Sequence, residues 1–190
     1  QALAVRDALT IAREIKSKLR SAHSPLLIQI GSSLPNPADL IDRISNALTD
    51  DPPLVTNKGG MIKPGYAPKL DQLNESIREA RQYIGDLQKI ERERTGIASL
   101  KVGFNKIFGY YIEITRANAS SVPENYIRKQ TLVNAERYIT PELKEKEELI
   151  LAAEEKIFSL EAELYQDLVD ALAARIADLV HTAELLAEID

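Results

Sequence analysis

The sequence predicts a mainly α-helical chain with a small antiparallel β domain inserted into it, carried at the tip of a long antiparallel coiled-coil arm. Three observations predict this. All eight glycines lie at or before Gly109, and the last proline is Pro141, so 49 residues follow without a helix breaker. Leu70, Leu73, Ile77, Ala80, Ile84 and Leu87 recur at alternating spacings of three and four, the seam of a coiled-coil helix. A second seam of Leu143, Ile150, Ile157 and Leu164, with Ala153 and Leu160 between, opens after Pro141; Lys146 is its polar exception.

Taken in order, residues 1 to about 22 read as a helix with Leu3, Leu9, Ile11, Ile15 and Leu19 apolar. Residues 36–49 read as a second, with Asn36 as N-cap, Pro37 at the first helical position, and Leu40, Ile41, Ile44, Ala47 and Leu48 at helical spacing. Leu54 to Lys63 read as a short hairpin around Gly59-Gly60. The first heptad helix starts at Pro68; its seam fades at Glu91, and Gly96 stops it. Glu91 to Arg94 then read as an exposed, charged helix end. Thr140 as N-cap, Pro141 and Glu142 start the returning helix. Left unbroken to the end, that helix would run about 70 Å, so a bend is expected.

Between the seams the composition changes. Lys101–Phe104 and Tyr110–Thr115 are strand-like, and Tyr138-Ile139 ends a third strand. Six of the ten aromatic residues lie in residues 97–140, which hold six basic and three acidic residues, a local charge of +3. The whole chain carries −5, so the remainder carries −8. The expected organisation is therefore a helical segment over 1–66 with its hairpin near 54–63, arm helices over 67–96 and 141–190, and an inserted β-rich domain over 97–140.

The net charge argues against a generally basic polymer binder. The chain has no cysteine, which removes disulfides, thiol catalysis and thiolate metal sites. It has no G-x-x-x-x-G-K-[ST] or G-x-G-x-x-G, and Lys58-Gly59-Gly60 reads as a turn rather than a phosphate cradle. His23 and His181 have no second histidine at metal-ligand spacing. Glu145, Glu147, Glu148, Glu154 and Glu155 read as solvated helix surface, with Glu142–Lys146 as an i,i+4 pair. No apolar run is long enough for a membrane span, and no secretory signal opens the chain. Gln1 at the start and a helix running to Asp190 lead us to expect a piece of a larger cytosolic protein. Composition leaves three readings of the basic aromatic sheet open: a structural cap on the arm, a surface for nucleic-acid backbone, or a tip that binds a protein partner through apolar residues such as Phe108 and Val133.

Five ordered blocks narrow the choice. Glu91-Arg92-Glu93-Arg94-Thr95-Gly96, Leu100-Lys101-Val102-Gly103-Phe104-Asn105, Gly109-Tyr110-Tyr111-Ile112, Asn134-Ala135-Glu136-Arg137-Tyr138 and Thr140-Pro141-Glu142-Leu143 resemble the MutS family of DNA mismatch repair proteins. The Val55–Ile62 hairpin and Gly65-Tyr66 are also similar to that family. The resemblance implies two lever helices carrying a clamp domain that grips duplex DNA by its phosphate backbone without reading sequence. It places Asn105 and Asn134 at the DNA-facing tip, with Lys106 beside the first and Arg128 and Lys129 leading to the second. It departs from the family at Val133, where many relatives carry a basic residue, and at Phe108, where histidine is common. The family's mismatch-reading Phe-x-Glu and its P-loop are not in this stretch, so the resemblance implies no catalytic site and no cofactor here. The parent is expected to use ATP and magnesium, to form a homodimer, and to work in the bacterial cytoplasm on chromosomal DNA.

Overall fold

The computed structural model describes residues 1–53 and 59–189. It is mostly helical, with α1 (Ala2–Leu19), α2 (Pro25–Ser33), α3 (Ala38–Ala47), α4 (Pro68–Thr95), α5 (Pro141–Ala173) and α6 (Ile176–Ala187). Between α4 and α5 lies one antiparallel sheet of β1 (Lys101–Asn105), β2 (Gly109–Thr115), β3 (Ile127–Thr131) and β4 (Ala135–Ile139), in the order β1-β2-β4-β3. The chain forms two compact units, Gln1–Pro68 with Phe158–Asp190, and Lys69–Ile157.

In the first unit α1 ends at Leu19, the last residue of its apolar pattern and short of the expected end near residue 22. Gly31 of α2 comes so close to α1 that a Cβ there would stand 2.8 Å from that of Leu19. Ile30, Leu34 and Leu185 form a buried cluster with Leu19 and Leu186 against it. Helix α2 has no counterpart in the sequence reading, because its nine residues, Pro25–Ser33, are too short to display a period. Helix α3 begins one residue later than expected: Pro37, not Asn36, occupies the N-cap position, and no side chain caps it. Proline has no N–H, so it leaves fewer backbone donors to satisfy there.

Of the expected hairpin, residues 54–58 lie outside the described residues. Its second half pairs with the end of α3: Leu48 and Ile62 bridge antiparallel, Thr49 N donates to Met61 O at 3.0 Å, and Lys63 N donates to Ala47 O at 2.8 Å. A carboxylate completes this segment. Glu161 of α5, only 2% exposed, accepts N–H bonds from Gly60 (3.0 Å), Met61 (3.2 Å) and Ile62 (3.4 Å). The expected break in the C-terminal helix falls at Arg175, without glycine or proline. Its N–H turns to Leu172 O, and its guanidinium bonds Asp39 at 3.1 Å and Asp178 at 2.6 Å.

In the second unit Leu70, Ile77, Ala80, Ile84 and Leu87 of α4 are buried, as are Leu143, Ile150, Ala153 and Ile157 of α5. The helices run antiparallel, since Arg81 bonds Glu154 at 2.7 Å while Tyr83 O–H bonds Glu142 at 2.9 Å. Glu142 and Lys146 do not pair as expected; both turn to Tyr83, the ammonium lying 5.6 Å from the ring centroid. That contact gives the polar exception in the second seam its partner. Thr140 caps α5 as its sequence signals, Leu143 N donating to Thr140 Oγ1 at 3.1 Å. Gly96, at φ +70°, ends α4.

Glu91 corrects the reading of a fading seam. It is 5% exposed and receives Tyr126 O–H at 2.6 Å and Arg94 at 2.6 and 3.0 Å. A charge can occupy a seam position once donors replace its water. Arg92 is likewise engaged, its Nε donating to Leu100 O at 2.7 Å.

Candidate nucleic-acid interface

The sheet holds a strand that the sequence reading missed. β3 reads Ile127-Arg128-Lys129-Gln130-Thr131, with only one apolar residue and no alternation. It is the edge strand beside β4, and the register shifts between Arg128 and Gln130. An edge strand with basic side chains and a bulge need not bury a face, so its pattern is weak by construction.

Register sorts the side chains. Val102, Ile112, Tyr138 and Arg128 face one side, with Phe104 and Tyr110, Ile114 and Glu136 alongside. Ile112 and Ile114 are fully buried there. Two helix side chains bind this part of the unit: Gln88 Oε1 accepts Val102 N–H at 3.1 Å, and Glu147 Oε1 accepts Tyr110 N–H at 3.1 Å.

The opposite side carries Lys101, Glu113, Arg137 and Gln130 in a row across all four strands. Arg137 bonds Glu113 at 2.9 Å and Gln130 at 3.1 Å, and its guanidinium lies 4.1 Å from the Tyr111 ring centroid. That ring in turn covers Gly103, where a Cβ would stand only 2.7 Å from it. Glycine at 103 thus lets a tyrosine lie flat across β1, where an arginine stacks on it.

The structure places the five candidate site residues in three places on the sheet. Asn105 and Lys106 sit in the β1–β2 turn, where Asn105 Oδ1 accepts Ile107 N–H at 2.8 Å. This bond commits the amide oxygen to the turn and leaves Nδ2 as its outward donor. Asn134 sits in the β3–β4 turn, exposed, its backbone O accepting Arg116 N–H at 3.1 Å. Because β2 runs from Gly109 to Thr115 and Thr115 pairs with Ala135, these two turns lie at opposite ends of the sheet. Arg128 and Lys129 lie between them on β3, both exposed, with Arg128 3.5 Å from Glu136. Lys101, Lys106 and Lys129 make no ion pair among the described residues. The same separation divides Phe108 from Val133, so they do not form one apolar strip; Val133 is 81% exposed at one end, while Phe104, Ile107 and Phe108 are exposed together at the other.

Sequence reasoning missed the residues that hold the site rather than those that line it. Glu147 read as solvated surface, yet it is half-buried and supplies a backbone bond. Gly109 was the available signal: its φ is +75°, and a Cβ on it would collide with the Glu147 carboxylate. Among the described residues no group of histidine and carboxylate side chains could hold a metal ion, and no helix is long and apolar enough to cross a membrane.

Residues 65–156 match the model of MutS family domain IV. The chain belongs to the MutS family. It is 48% identical over 188 residues to a DNA mismatch repair protein MutS of Salinibacter ruber, covering 99% of this chain and 21% of that protein. The protein of the same name from Methanosarcina barkeri is 54% identical over 159 residues, covering 84% of this chain and 17% of the relative. That of Brevibacillus brevis is 46% identical over 187 residues, at 98% and 22%. The chain thus spans about a fifth of the length of these relatives. The family model covers α4, the whole sheet and the first half of α5, so the second compact unit carries the match.

Proposed function

We propose that this chain is the clamp and lever region of a DNA mismatch repair protein, gripping duplex DNA by its backbone and coupling that grip to an ATPase elsewhere in the parent. The observation that carries the reading is the match to MutS family domain IV over a stretch whose inserted sheet is locally basic, at +3, within an acidic chain. Asn105 and Lys106 at one end, Asn134 at the other, and Arg128 and Lys129 between are the proposed backbone contacts. The β2 ladder separates the two turns by about 20 Å. A duplex presents roughly a dozen phosphate charges over that length, so one duplex lying along the sheet meets both turns and the strand between them. Amide and ammonium donors suit this task, because phosphate contacts hold a duplex without selecting its sequence.

The clamp itself has no catalytic role in this reading. ATP and magnesium belong to the parent's ATPase, and a homodimer closes the ring around DNA, in the bacterial cytoplasm. The test is a salt titration of the full-length protein on homoduplex and mismatched DNA. With about three phosphates engaged by the clamp, its share of the log–log salt slope is about −3, and Lys106→Ala removes about one. Joint substitution of Asn134 and Lys106 by alanine lowers affinity for both duplexes equally; a loss confined to mismatched DNA contradicts a backbone grip.

The paired helices α4 and α5 are the proposed lever, an antiparallel coiled coil whose stiffness carries nucleotide-driven motion to the clamp. Ile77→Gly with Ile157→Gly removes two buried seam side chains and adds two flexible residues. In the full protein this pair of changes is expected to abolish ATP-induced release of DNA. Release that remains intact in a folded double variant refutes the lever.

One observation favours a second reading. Phe104 at the end of β1 and Ile107 and Phe108 in the turn that follows are exposed, Ile107 at 82%. A tip that binds a protein partner would use them, and its binding would be insensitive to salt.

A further inference from the structure

We infer that Glu147 is the positioning residue of the β1–β2 turn, completing from α5 a ladder that β4 leaves unfinished. The register shows why a partner is needed. Ile112 pairs with Tyr138 and runs antiparallel to it, so the residue opposite Tyr110 would be Thr140. Thr140 has left the ladder to cap α5, its hydroxyl accepting Leu143 N–H. The Tyr110 N–H therefore has no strand residue to bond on that side. Glu147, two helical turns into α5, supplies the acceptor at 3.1 Å. Gly109 makes room for it, because any side chain at 109 would occupy the position of the carboxylate.

The consequence concerns the loop before Gly109. Asn105 Oδ1 fastens the turn at one side through Ile107 N–H, and Glu147 fastens it at the other through Tyr110 N–H. Lys106, Ile107 and Phe108 stand exposed between these two fixed points. A turn held at both ends presents Asn105 Nδ2 and Lys106 Nζ in a fixed direction, which reduces the ordering cost of a backbone contact. Glu147 also ties that direction to α5, so rotation of the helix is delivered to the turn. The inference about position rests on hydrogen bonds alone; its effect on DNA rests on the proposed function above.

The experiment uses the full-length protein, with Glu147→Ala and Glu147→Gln. Amide exchange is followed at Tyr110, with Ile112 and Ile114 as internal references, and affinity is measured on homoduplex DNA. Glu147→Ala is expected to speed Tyr110 exchange at least tenfold, leave Ile112 and Ile114 unchanged, and weaken duplex binding as much as Lys106→Ala does. Glu147→Gln keeps an acceptor oxygen and is expected to restore both. Unchanged Tyr110 exchange overturns the inference, as does faster exchange across the whole sheet, which would make Glu147 a general stabiliser. Faster Tyr110 exchange with unaltered binding overturns the positioning role if Lys106→Ala still weakens binding. If Lys106→Ala is equally silent, the reading of this turn as a DNA contact fails instead, while the latch stands.

Discussion

Glu161→Ala is expected to lower the stability of the chain by about 3–5 kcal/mol, the largest loss of any single polar substitution here. The carboxylate is 2% exposed and receives three consecutive backbone N–H groups, from Gly60, Met61 and Ile62. Alanine leaves those donors facing a cavity. A buried N–H without an acceptor costs about 1–3 kcal/mol, so two or three together account for the size of the effect. Glutamine is an informative intermediate. Its oxygen replaces one acceptor, but its NH2 group points a donor at a donor. The expected order of denaturant midpoints is therefore wild type, then Glu161→Gln, then Glu161→Ala. Exchange at Met61 and Ile62 should accelerate in the same order. A midpoint within about 1 kcal/mol of wild type for the alanine variant would show that the segment finds other acceptors.

The contrast between what was legible and what was not follows one rule. Sequence pattern reports burial of apolar side chains, so the elements that bury a stripe were found. Most of the α4 seam (Leu70, Ile77, Ala80, Ile84, Leu87) and of the α5 seam (Leu143, Ile150, Ala153, Ile157) is buried where the period says, while Leu73, Leu160 and Leu164 are only half-buried. The Thr140 cap and the Gly96 stop were legible because each meets a backbone need with a particular residue type. β3 was not, because an edge strand bearing Arg128 and Lys129 has no face to bury. Nor were Glu91, Glu147 and Glu161, since a glutamate in a helix looks the same whether water or an amide meets it. Their partners lie 35, 37 and about 100 residues away in sequence, and no local pattern encodes such a pairing. The candidate contacts Asn105, Lys106, Arg128, Lys129 and Asn134 came from family resemblance. What the structure adds is their division between the two ends of the sheet and the strand that connects them.

Glu91→Ala is the second large effect expected, and it reaches strand β3 through Tyr126. Tyr126 O–H donates to Glu91 at 2.6 Å, and Arg94 donates to the same oxygen at 2.6 Å. Tyr126 is buried, packs against the Tyr138 ring at 5.8 Å between centroids, and stands one residue before β3. Removing the carboxylate strands a buried hydroxyl and releases the start of the strand that carries Arg128 and Lys129. A loss of about 2–4 kcal/mol is expected, against about 1–2 kcal/mol for Tyr126→Phe, which removes the donor and leaves Arg94 to satisfy Glu91. The double variant should cost less than the sum of the two, because both break one bond. The pH dependence gives an independent check. Burial, and then the bond to Glu91, push the Tyr126 phenol well above its ordinary value. The folded state therefore holds this proton more tightly than the unfolded chain, whose phenols ionise near pH 10. The contribution is whole below about pH 10 and declines as pH rises above it, since there the unfolded chain releases a proton that the fold retains. Burial and the Glu136 bond raise Tyr138 to about 12, so it adds a similar decline over the same range. Wild type should accordingly lose stability more steeply than Tyr126→Phe above pH 10, with Tyr138 and Tyr83, the latter raised to about 12 by burial and its bond to Glu142, supplying the slope that remains. Equal slopes in the two proteins would mean that the phenol is not held by Glu91, and the anchor of β3 would have to be sought elsewhere.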